Sequence, residues 1–490
     1  MLFNSLQFLI FFPIVVILYY LLKPSVRWVL LLAASYYFYM AWKPEYIVLI
    51  VISTLVDYFC SYKMGEIAEK RQRIPFLVIS LVVNLGLLFF YKYTNFFISI
   101  SNDLSGLFGG QGSVKYLNLI LPMGISFYTF QTMSYSIDVY HNPQLREKHL
   151  GIFALFVTFF PQLVAGPIER ASHLINQLKT PKSFSYQNVS SGLKLMAWGM
   201  FKKVVIADRL GSFVDTVYNH PTQYSSVTLV VASIFFAFQI YCDFSGYSDI
   251  AIGAARVMGY SLMLNFSIPY FSKSVSEFWR RWHISLSTWF RDYVYIPLGG
   301  NRVSKSRLYF NLMVTFIVSG FWHGANWTFI VWGAIHGLFL VIEVIVKKYS
   351  FKNTPKGIEY NISKSRQYFG VLYTLVIVLI GWIFFRANSV GDAAFIFNKI
   401  GTSILSFTLP SISALRSELY AADMGLAQLG LAALFITFLM FAELYNNKAG
   451  ISIKLATFAS PIRYTAYASF VAVILLFGEF NNSQFIYFQF

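Results

Sequence analysis

Apolar runs long enough to cross a lipid bilayer recur from one end of this 490-residue chain to the other. A membrane helix needs about 20 mostly apolar residues to cross about 30 Å of hydrocarbon, and its backbone groups bond to one another within the helix. The runs are continuous, whereas the strands of a membrane β-barrel alternate apolar and polar residues. The sequence therefore predicts an all-α polytopic integral membrane protein.

The charged residues support this prediction. They make up 12% of the chain, about half the share that is usual in soluble domains. The formal net charge of +17 comes from Lys and Arg in short loops beside apolar runs, which the positive-inside rule explains better than nucleic-acid binding. We therefore expect contact with membrane lipid, no nucleic-acid partner, and a basic cytoplasmic face that attracts an anionic substrate.

Several familiar catalytic patterns are absent from the sequence. It has no phosphate-cradling P-loop, no zinc-protease pattern and no Gly-x-Ser-x-Gly nucleophile elbow, which argues against an ATP-driven pump and a serine hydrolase of the familiar kind. The two cysteines, Cys60 and Cys242, lie outside any metal-ligand pattern. We expect no metal.

The distribution of Lys and Arg predicts the topology. The basic loop at residues 63–73 is expected in the cytoplasm, which places the N-terminus outside and residues 347–364 inside. Residues 387–423 are mostly neutral and are predicted to form a long external loop.

Two further segments are expected near the inner side of the membrane. Residues 151–165 lie between two basic loops, which predicts a re-entrant segment broken at Pro161 and Gly166 and covered by protein. Residues 189–207 are predicted to form an amphipathic helix that reaches the inner interface. Three lysines lie along it: Lys194, Lys202 and Lys203.

The stretch 278–324 differs from the rest, because arginines, tryptophans and two histidines interrupt long apolar segments. Ionisable groups near hydrocarbon are costly, so such a cluster is a functional-site hypothesis. The apolar run 308–319 would be only about 18 Å long as a helix, too short to cross about 30 Å of hydrocarbon. We therefore expect a break at residues 320–324 within the depth of the membrane, facing protein or a water-filled cavity.

Each histidine of this stretch has two interpretations. His323, flanked by Gly320 and Gly324, could act as a general base or could be a core histidine bonded to a backbone carbonyl, and the pattern does not decide between them. His283 lies beside Arg280 and Arg281, a composition that favours a membrane-surface helix over catalysis.

The charged residues of the region also have alternatives. Four basic residues could bind the phosphates of an anionic cofactor or could act only as topology determinants, which is the commoner case. These are Lys273, Arg280, Arg281 and Arg291. Asp243 and Asp249 interrupt an apolar context, and we favour pairing with Arg or Tyr inside the bundle over a polar path.

Two sequence blocks resemble the signature of the membrane-bound O-acyltransferase family, within it the bacterial branch typified by alginate O-acetylation proteins. These are FWRRWHISLSTWFRDYVYIPLGGNR at 278–302 and GFWHGANWTF at 320–329. Further blocks agree: PMGISFYTFQTMSYSIDVY at 122–140, FPQLVAGPIER at 160–170, YCDFSGYSDIAIGAARVMGY at 241–260, FFRAN at 384–388 and the terminal FIYFQF. The resemblance covers essentially the whole chain.

The resemblance implies a fold and a site. We expect one domain over residues 1–490, with a motif-bearing core at about 115–345 and about eleven spanning helices plus re-entrant ones around a funnel or tunnel. His323 matches the family's catalytic histidine and His283 its second active-site histidine. The other residues expected to bind substrate or cofactor are Lys273, Arg280, Arg281, Trp282, Arg291, Trp322, Asn326 and Asp243.

The resemblance also implies a reaction in the bacterial inner membrane. An acetyl group from cytoplasmic acetyl-CoA is moved across the membrane for O-acetylation of a secreted exopolysaccharide, alginate-like or another glycan. An extracytoplasmic acetyltransferase partner usually completes the transfer in this branch. Two alternatives stay open: a D-alanyl transfer protein of teichoic acid synthesis, and a polysaccharide exporter, which has no need of paired histidines at a helix break.

Overall fold

The computed structural model describes residues 1–109, 113–350, 364–406, 410–449, 458–480 and 485–486. Within these ranges the chain is helical and contains no strand. Among the described residues, seven helical segments are long and apolar enough to cross a membrane: Pro44–Glu66, Lys70–Leu107, Ser226–Val257, Trp327–Val346, Ser365–Arg386, Leu426–Tyr445 and Ser460–Phe477. The prediction of an all-α multi-pass membrane protein is confirmed, and the number of about eleven spanning helices stays a prediction.

The chain forms two compact units. The first comprises Met1–Trp198, Tyr247–Leu264 and Gln484–Phe490, and the second comprises Gly199–Gly246 and Asn265–Ser483. The helices that begin in the first unit are α1 (Leu6–Leu21), α2 (Arg27–Met40), α3 (Ile47–Glu66), α4 (Ile74–Leu88), α5 (Thr94–Leu107), α6 (Ile125–His141), α7 (Leu150–Thr158), α8 (Ala171–Lys179) and α9 (Tyr186–Met200).

The remaining helices begin in the second unit, after a π-helical segment at Phe201–Ala207. They are α10 (Asp208–Asn219), α11 (Ser226–Val257), α12 (Val275–Arg281), α13 (Ile284–Phe290), α14 (Lys305–His323), α15 (Trp327–Ser350), α16 (Lys364–Arg386), α17 (Val390–Ser406), α18 (Ile412–Ala421), α19 (Leu426–Ala449) and α20 (Ser460–Phe477).

A buried polar cluster joins α3, α4 and α6 in the first unit. The Asp57 carboxylate, which is fully buried, accepts hydrogen bonds from Ser80 Oγ at 2.5 Å and from Asn84 Nδ2 at 2.9 Å. Ser136 Oγ of α6 donates to the same carboxylate at 3.4 Å. A buried polar group without such partners would cost free energy, so the cluster fixes how the three helices pack.

The expected break in the apolar segment 151–165 is confirmed. Helix α7 ends at Thr158, and the turn that follows is buried within the first unit. Its backbone is satisfied by protein, since Phe160 N donates to Ser35 Oγ at 3.0 Å. Gly124 precedes α6 with φ +73°, and a Cβ there would lie 2.7 Å from Leu163 O, so glycine is required at this contact.

Two predicted features of the second unit differ from the structure. Residues 390–406 and 412–421 form α17 and α18 rather than loop, because hydroxyl caps start both helices. Ser389 Oγ accepts from Asp392 N at 3.0 Å, and Ser411 Oγ accepts from Ala414 N at 3.2 Å. The near-neutral charge of the segment, from which a loop is predicted, does not reveal these caps.

Helix α14 is the second difference. It contains 19 residues, which is about 28 Å at 1.5 Å per residue, so it is longer than the apolar run 308–319 from which it was predicted. That it is too short to cross the membrane unaided stays a prediction. Gly320 lies inside the helix. Because it has no side chain, α14 can approach α15 closely at this point: a Cβ there would lie 2.2 Å from Phe329 O. The break therefore begins at Gly324.

Candidate functional site

His323 is the last residue of α14 and is 4% exposed. Gly324, with φ −162° and ψ 153°, ends the helix immediately after it. The His323 ring packs edge-on against two other rings, that of Trp332 in α15 at 4.9 Å and that of Phe385 in α16 at 5.4 Å between centroids. Three helices thus hold this imidazole in an apolar pocket.

His283 lies between α12 and α13 in a left-handed backbone conformation, with φ 44° and ψ 56°. This conformation is uncommon for residues other than glycine and often occurs at functional sites. The side chain is 1% exposed, and its ring packs edge-on against Phe244 at 4.4 Å. The surface-helix interpretation of His283 was wrong, because the left-handed residue turns the chain and the ring enters the protein interior.

Asn265 fixes the orientation of the His283 ring. His283 Nδ1 lies 3.1 Å from Asn265 Oδ1, and the same oxygen accepts a hydrogen bond from Ser285 Oγ at 2.9 Å. Because this oxygen is an acceptor, Nδ1 carries the proton and Nε2 is the basic nitrogen. Burial lowers the pKa of His283 well below its usual value, so the ring is neutral at pH 7.

Trp322 brings the two histidines into one cluster. Its ring lies 6.4 Å from that of His283 and 4.9 Å from that of His323. We call these two histidines, with Trp322, Trp332 and Phe385, the histidine core. The sequence placed the histidines 40 residues apart, and the fold brings both to one buried indole.

Trp282 belongs to the packing around this core. It is 1% exposed and its ring contacts three others, those of Phe278 at 5.4 Å, Trp382 at 5.0 Å and Phe266 at 5.1 Å. These contacts hold Trp282 directly before His283, and its role in binding a substrate stays a prediction.

Three of the predicted basic residues lie together on or beside α12. Lys273 Nζ donates to Gln367 Oε1 at 2.8 Å, and Arg281 pairs with Glu277 at 2.6 Å. Arg280 is exposed and its guanidinium lies 3.3 Å from Ser276 Oγ. We call Lys273, Arg280 and Arg281 the basic segment. Its side chains can reach solvent, as binding of a phosphate group requires.

Arg291 lies apart from the basic segment, on the π-helical turn after α13. Its guanidinium is 2.8 Å from the Asp292 carboxylate, and its side chain is 58% exposed. Its charge is paired with a carboxylate, as that of Arg281 is with Glu277, and its role in binding an anion stays a prediction.

Asp243 takes part in a buried ionic cluster. Its carboxylate lies 2.7 Å from Lys203 Nζ, which is also 2.8 Å from Asp208. The predicted structural pairing of Asp243 is confirmed, although its partner is a lysine rather than Arg or Tyr. Lys203 and Lys202 are 5% and 3% exposed, so these two lysines are buried inside the protein rather than on a polar helix face, and the position of the segment at the inner interface stays a prediction.

The reason for this difference lies in distant carboxylates and in the π-helical backbone. Lys203 forms an ion pair with Asp243 of α11, and Lys202 Nζ lies 3.9 Å from the carboxylate of Glu443 in α19. Nothing in the local pattern of residues 189–207 shows partners 40 and more than 200 residues away. Lys202 and Lys203 lie in adjacent positions of a segment whose residues are all buried.

Asn326 has a structural role at the start of α15. Its Oδ1 accepts a hydrogen bond from Thr328 N at 3.0 Å, an N-terminal cap, and its Nδ2 donates to the backbone oxygen of Asn388 at 3.1 Å. In the part of the chain that the structure describes, no group of three or more His, Cys, Asp or Glu side chains could hold a metal ion.

Sequence reasoning missed Asn265, Trp332 and Phe385, which hold the two imidazoles. Asn265 lies in an irregular stretch 18 residues before His283, where no periodic pattern indicates its direction. Trp332 and Phe385 are ordinary apolar residues of membrane helices, and only the packing of α14, α15 and α16 gives them a place at the site.

Comparisons with known proteins show which family this chain resembles. The model of the MBOAT, membrane-bound O-acyltransferase family, matches residues 85–387, which include both histidines. The chain is 36% identical to "Probable alginate O-acetylase AlgI" of Pseudomonas putida over all of both chains. It is 35% identical to "Peptidoglycan O-acetyltransferase" of Helicobacter pylori, over 80% of this chain and 78% of that one.

A third relative is similar over a shorter range. "Teichoic acid D-alanyltransferase" of Streptococcus thermophilus is 32% identical over 47% of this chain and 58% of its own length. The likeness to the two O-acetylation proteins therefore extends over much more of the molecule.

Proposed function

This chain belongs to the membrane-bound O-acyltransferase family, and from that premise we propose that it moves acetyl groups across the inner membrane. The donor is cytoplasmic acetyl-CoA, and the product is an O-acetylated, secreted exopolysaccharide. The observation that carries the proposal is the burial of His283 and His323 around one tryptophan. The relatives named for O-acetylation, which match most or all of the chain, favour acetyl as the group transferred.

The proposed chemistry assigns a role to each histidine. His323 takes the proton from an acceptor hydroxyl as its oxygen attacks the thioester carbonyl, the C–S bond breaks, and the proton passes to the departing thiolate. His283 is neutral, and Nε2 is its basic nitrogen because Asn265 holds the proton on Nδ1. The apolar surroundings exclude water, which would otherwise hydrolyse the thioester.

The proposed donor site is the basic segment. Charge-assisted hydrogen bonds from Arg and Lys to phosphate are stronger than neutral ones, and the nucleotide part of acetyl-CoA carries phosphates. With the topology proposed from the Lys and Arg pattern, these residues face the cytoplasm. An extracytoplasmic acetyltransferase partner would complete the transfer, and the whole of residues 1–490 would act as one domain.

A donor assay tests the proposal. Purified protein in lipid nanodiscs is given acetyl-CoA or a D-alanyl carrier protein, each labelled in the acyl group. We expect CoA release and acyl transfer with acetyl-CoA and none with the carrier protein. Turnover of the D-alanyl carrier protein alone would assign the chain to teichoic acid chemistry, and turnover of neither donor would contradict the enzymatic proposal.

The topology is tested separately in cells. Both native cysteines are replaced by serine, and single cysteines are placed at Glu66 and at Trp327. We expect an impermeant thiol reagent to label Trp327→Cys in intact cells and Glu66→Cys only after lysis. The opposite pattern would show that the orientation is inverted.

A further inference from the structure

Trp332 of α15 packs directly against His323 and is itself held by other aromatic rings. Its side chain is fully buried. Its ring centroid lies 4.9 Å from that of His323 and 5.3 Å from that of Phe385. Two further indole rings contact it, those of Trp279 in α12 at 5.5 Å and of Trp382 in α16 at 6.2 Å. Rings of α12 and α16 therefore fix this indole beside the proposed general base.

The backbone that carries Trp332 is also held in place. At Gly333, the next residue of α15, a Cβ would lie 2.3 Å from Phe316 O of α14. At Gly320 of α14, a Cβ would lie 2.2 Å from Phe329 O of α15. The two helices thus approach each other closely through both glycines. A packed interior of this kind accepts an added methylene group only at a cost in free energy, so Trp332 is a rigid wall of the site.

The indole N–H of Trp332 distinguishes it from a tryptophan that only fills the interior. Trp332 Nε1 is buried and has no hydrogen-bond partner among the residues that the structure describes. By contrast, Trp279 Nε1 donates to His336 Nδ1 at 3.4 Å. A buried indole N–H usually has an acceptor, and leaving it without one costs free energy. The carbonyl oxygen of an acyl group at His323 can supply that acceptor.

The rings around His323 leave little space for an acyl chain. In the proposed function the acyl carbon lies at His323, where the hydroxyl oxygen attacks it. Three ring centroids lie close to that of His323: Trp322 at 4.9 Å, Trp332 at 4.9 Å and Phe385 at 5.4 Å. Rings at these distances are in van der Waals contact, so an alkyl chain cannot pass between them. An acetyl group has only a methyl beyond its carbonyl, whereas each further methylene would have to displace a ring.

We infer that Trp332 limits the length of the acyl group and thereby restricts the donor to acetyl. The inference rests on the proposed function and deepens it, because it derives the choice of acetyl from the site itself. One added methylene in a well-packed site changes kcat/KM by roughly 10–200-fold. Butyryl has two more methylenes than acetyl, so it should be rejected by roughly 100-fold or more.

A series of donors measures this limit. Purified full-length protein in nanodiscs is given acetyl-CoA, propionyl-CoA, butyryl-CoA or hexanoyl-CoA, and kcat/KM for CoA release is determined with each. The CoA part is identical in all four donors, so the ratio of two kcat/KM values reports on the acyl group alone. We expect the wild type to prefer acetyl-CoA to butyryl-CoA by roughly 100-fold or more.

Two replacements at Trp332 test the role of the ring. Trp332→Phe keeps a smaller ring and should lower the preference for acetyl-CoA over propionyl-CoA by roughly tenfold. Trp332→Ala leaves a cavity of the kind that binds small apolar groups, so its kcat/KM for butyryl-CoA should come within roughly tenfold of that for acetyl-CoA. Both variants lose the N–H, which lowers kcat for every donor alike, so the ratio isolates the ring. If Trp332→Ala does not fold, Trp332→Phe decides.

Trp28→Phe is the matched control. The Trp28 ring packs edge-on against that of His149 at 4.8 Å in the first unit, which is the arrangement that Trp332 has with His323. Trp28→Phe should leave the donor preference at the wild-type value. An unchanged preference in Trp332→Phe as well would overturn the inference. Wild-type turnover of butyryl-CoA as efficient as that of acetyl-CoA would also overturn it.

Binding measured by calorimetry separates this inference from the proposed function. If the wild type releases CoA from none of the four donors, the proposed function fails, and binding of acetyl-CoA and butyryl-CoA then judges Trp332 alone. Tighter binding of acetyl-CoA by the wild type, with the difference lost in Trp332→Phe and kept in Trp28→Phe, would support the inference. Equal binding of the two donors by the wild type, or binding of neither, would overturn it.

Discussion

The two ends of α16 contact side chains of different kinds. Near its N-terminal end, Gln367 accepts a hydrogen bond from Lys273 of the basic segment, while near its C-terminal end Phe385 packs against His323. Eighteen residues separate these contacts, about 27 Å of helix. One end of the helix therefore contacts an exposed lysine of the basic segment, and the other contacts the His323 imidazole, which is enclosed by rings.

The cations are exposed and the imidazoles are buried because the two kinds of group differ in the free energy of leaving water. Arg and Lys are hydrated, and burying one of them costs several kcal/mol of desolvation free energy unless it forms an ion pair with a carboxylate. An imidazole can be buried as the neutral form, and it then retains a basic nitrogen. In the proposed function, the charges bind the phosphates of the donor while the histidines act on its acyl group.

The largest effect is expected in the histidine core. His323→Gln keeps a polar side chain of similar size but cannot accept the proton, so turnover of acetyl-CoA should fall by roughly 10²–10⁴-fold. Donor binding should survive, because the residues proposed to hold the phosphates of the donor, Lys273, Arg280 and Arg281, are unchanged. CoA release and equilibrium binding of acetyl-CoA, measured on the same purified protein, check both expectations.

The control is His141→Gln, since His141 is exposed at the end of α6 in the first unit. It should turn over acetyl-CoA at the wild-type rate. A folded His323→Gln protein with near-normal turnover would exclude His323 as the base and leave His283 as the candidate.

Some features of the histidine core can be predicted from the sequence and others cannot. Helices α14 and α15 follow from apolar runs, and the position of His323 at their junction follows from the block at 320–329. The role of Asn265 could not be predicted, because an irregular segment gives no periodicity from which to place a side chain. Likewise the burial of Lys203 depends on Asp243, which the fold alone brings to 2.7 Å.

The second expected effect concerns the orientation of His283. Asn265→Ala removes the acceptor for Nδ1–H and for Ser285 Oγ, so the ring can change its tautomer and position. Misplacement of a catalytic group by about 1 Å costs up to roughly 100-fold, and we expect a tenfold to hundredfold loss of kcat with little change in KM. Steady-state kinetics at several pH values measures it.

A conservative variant sharpens this prediction. Asn265→Asp keeps an acceptor oxygen but adds a negative charge, which raises the pKa of His283. The ring would then be protonated below that raised pKa, so activity should be lost as the pH falls and recovered as it rises. In the wild type, burial lowers the pKa of His283, so this loss should occur only at more acidic pH. Identical pH profiles for the two proteins would contradict the role of Asn265.

The smallest effect is expected at the basic segment. Arg281 already pairs with Glu277 at 2.6 Å and is about one-third exposed, so solvent and the carboxylate weaken its hold on a phosphate. Arg281→Ala should raise the KM for acetyl-CoA by roughly tenfold or less, about 1.4 kcal/mol, and change kcat less. Arg302→Ala, which replaces an exposed arginine before α14, should leave the KM unchanged. An unchanged KM in Arg281→Ala as well would assign these cations to membrane topology, and α16 would then no longer connect a donor site with the histidine core.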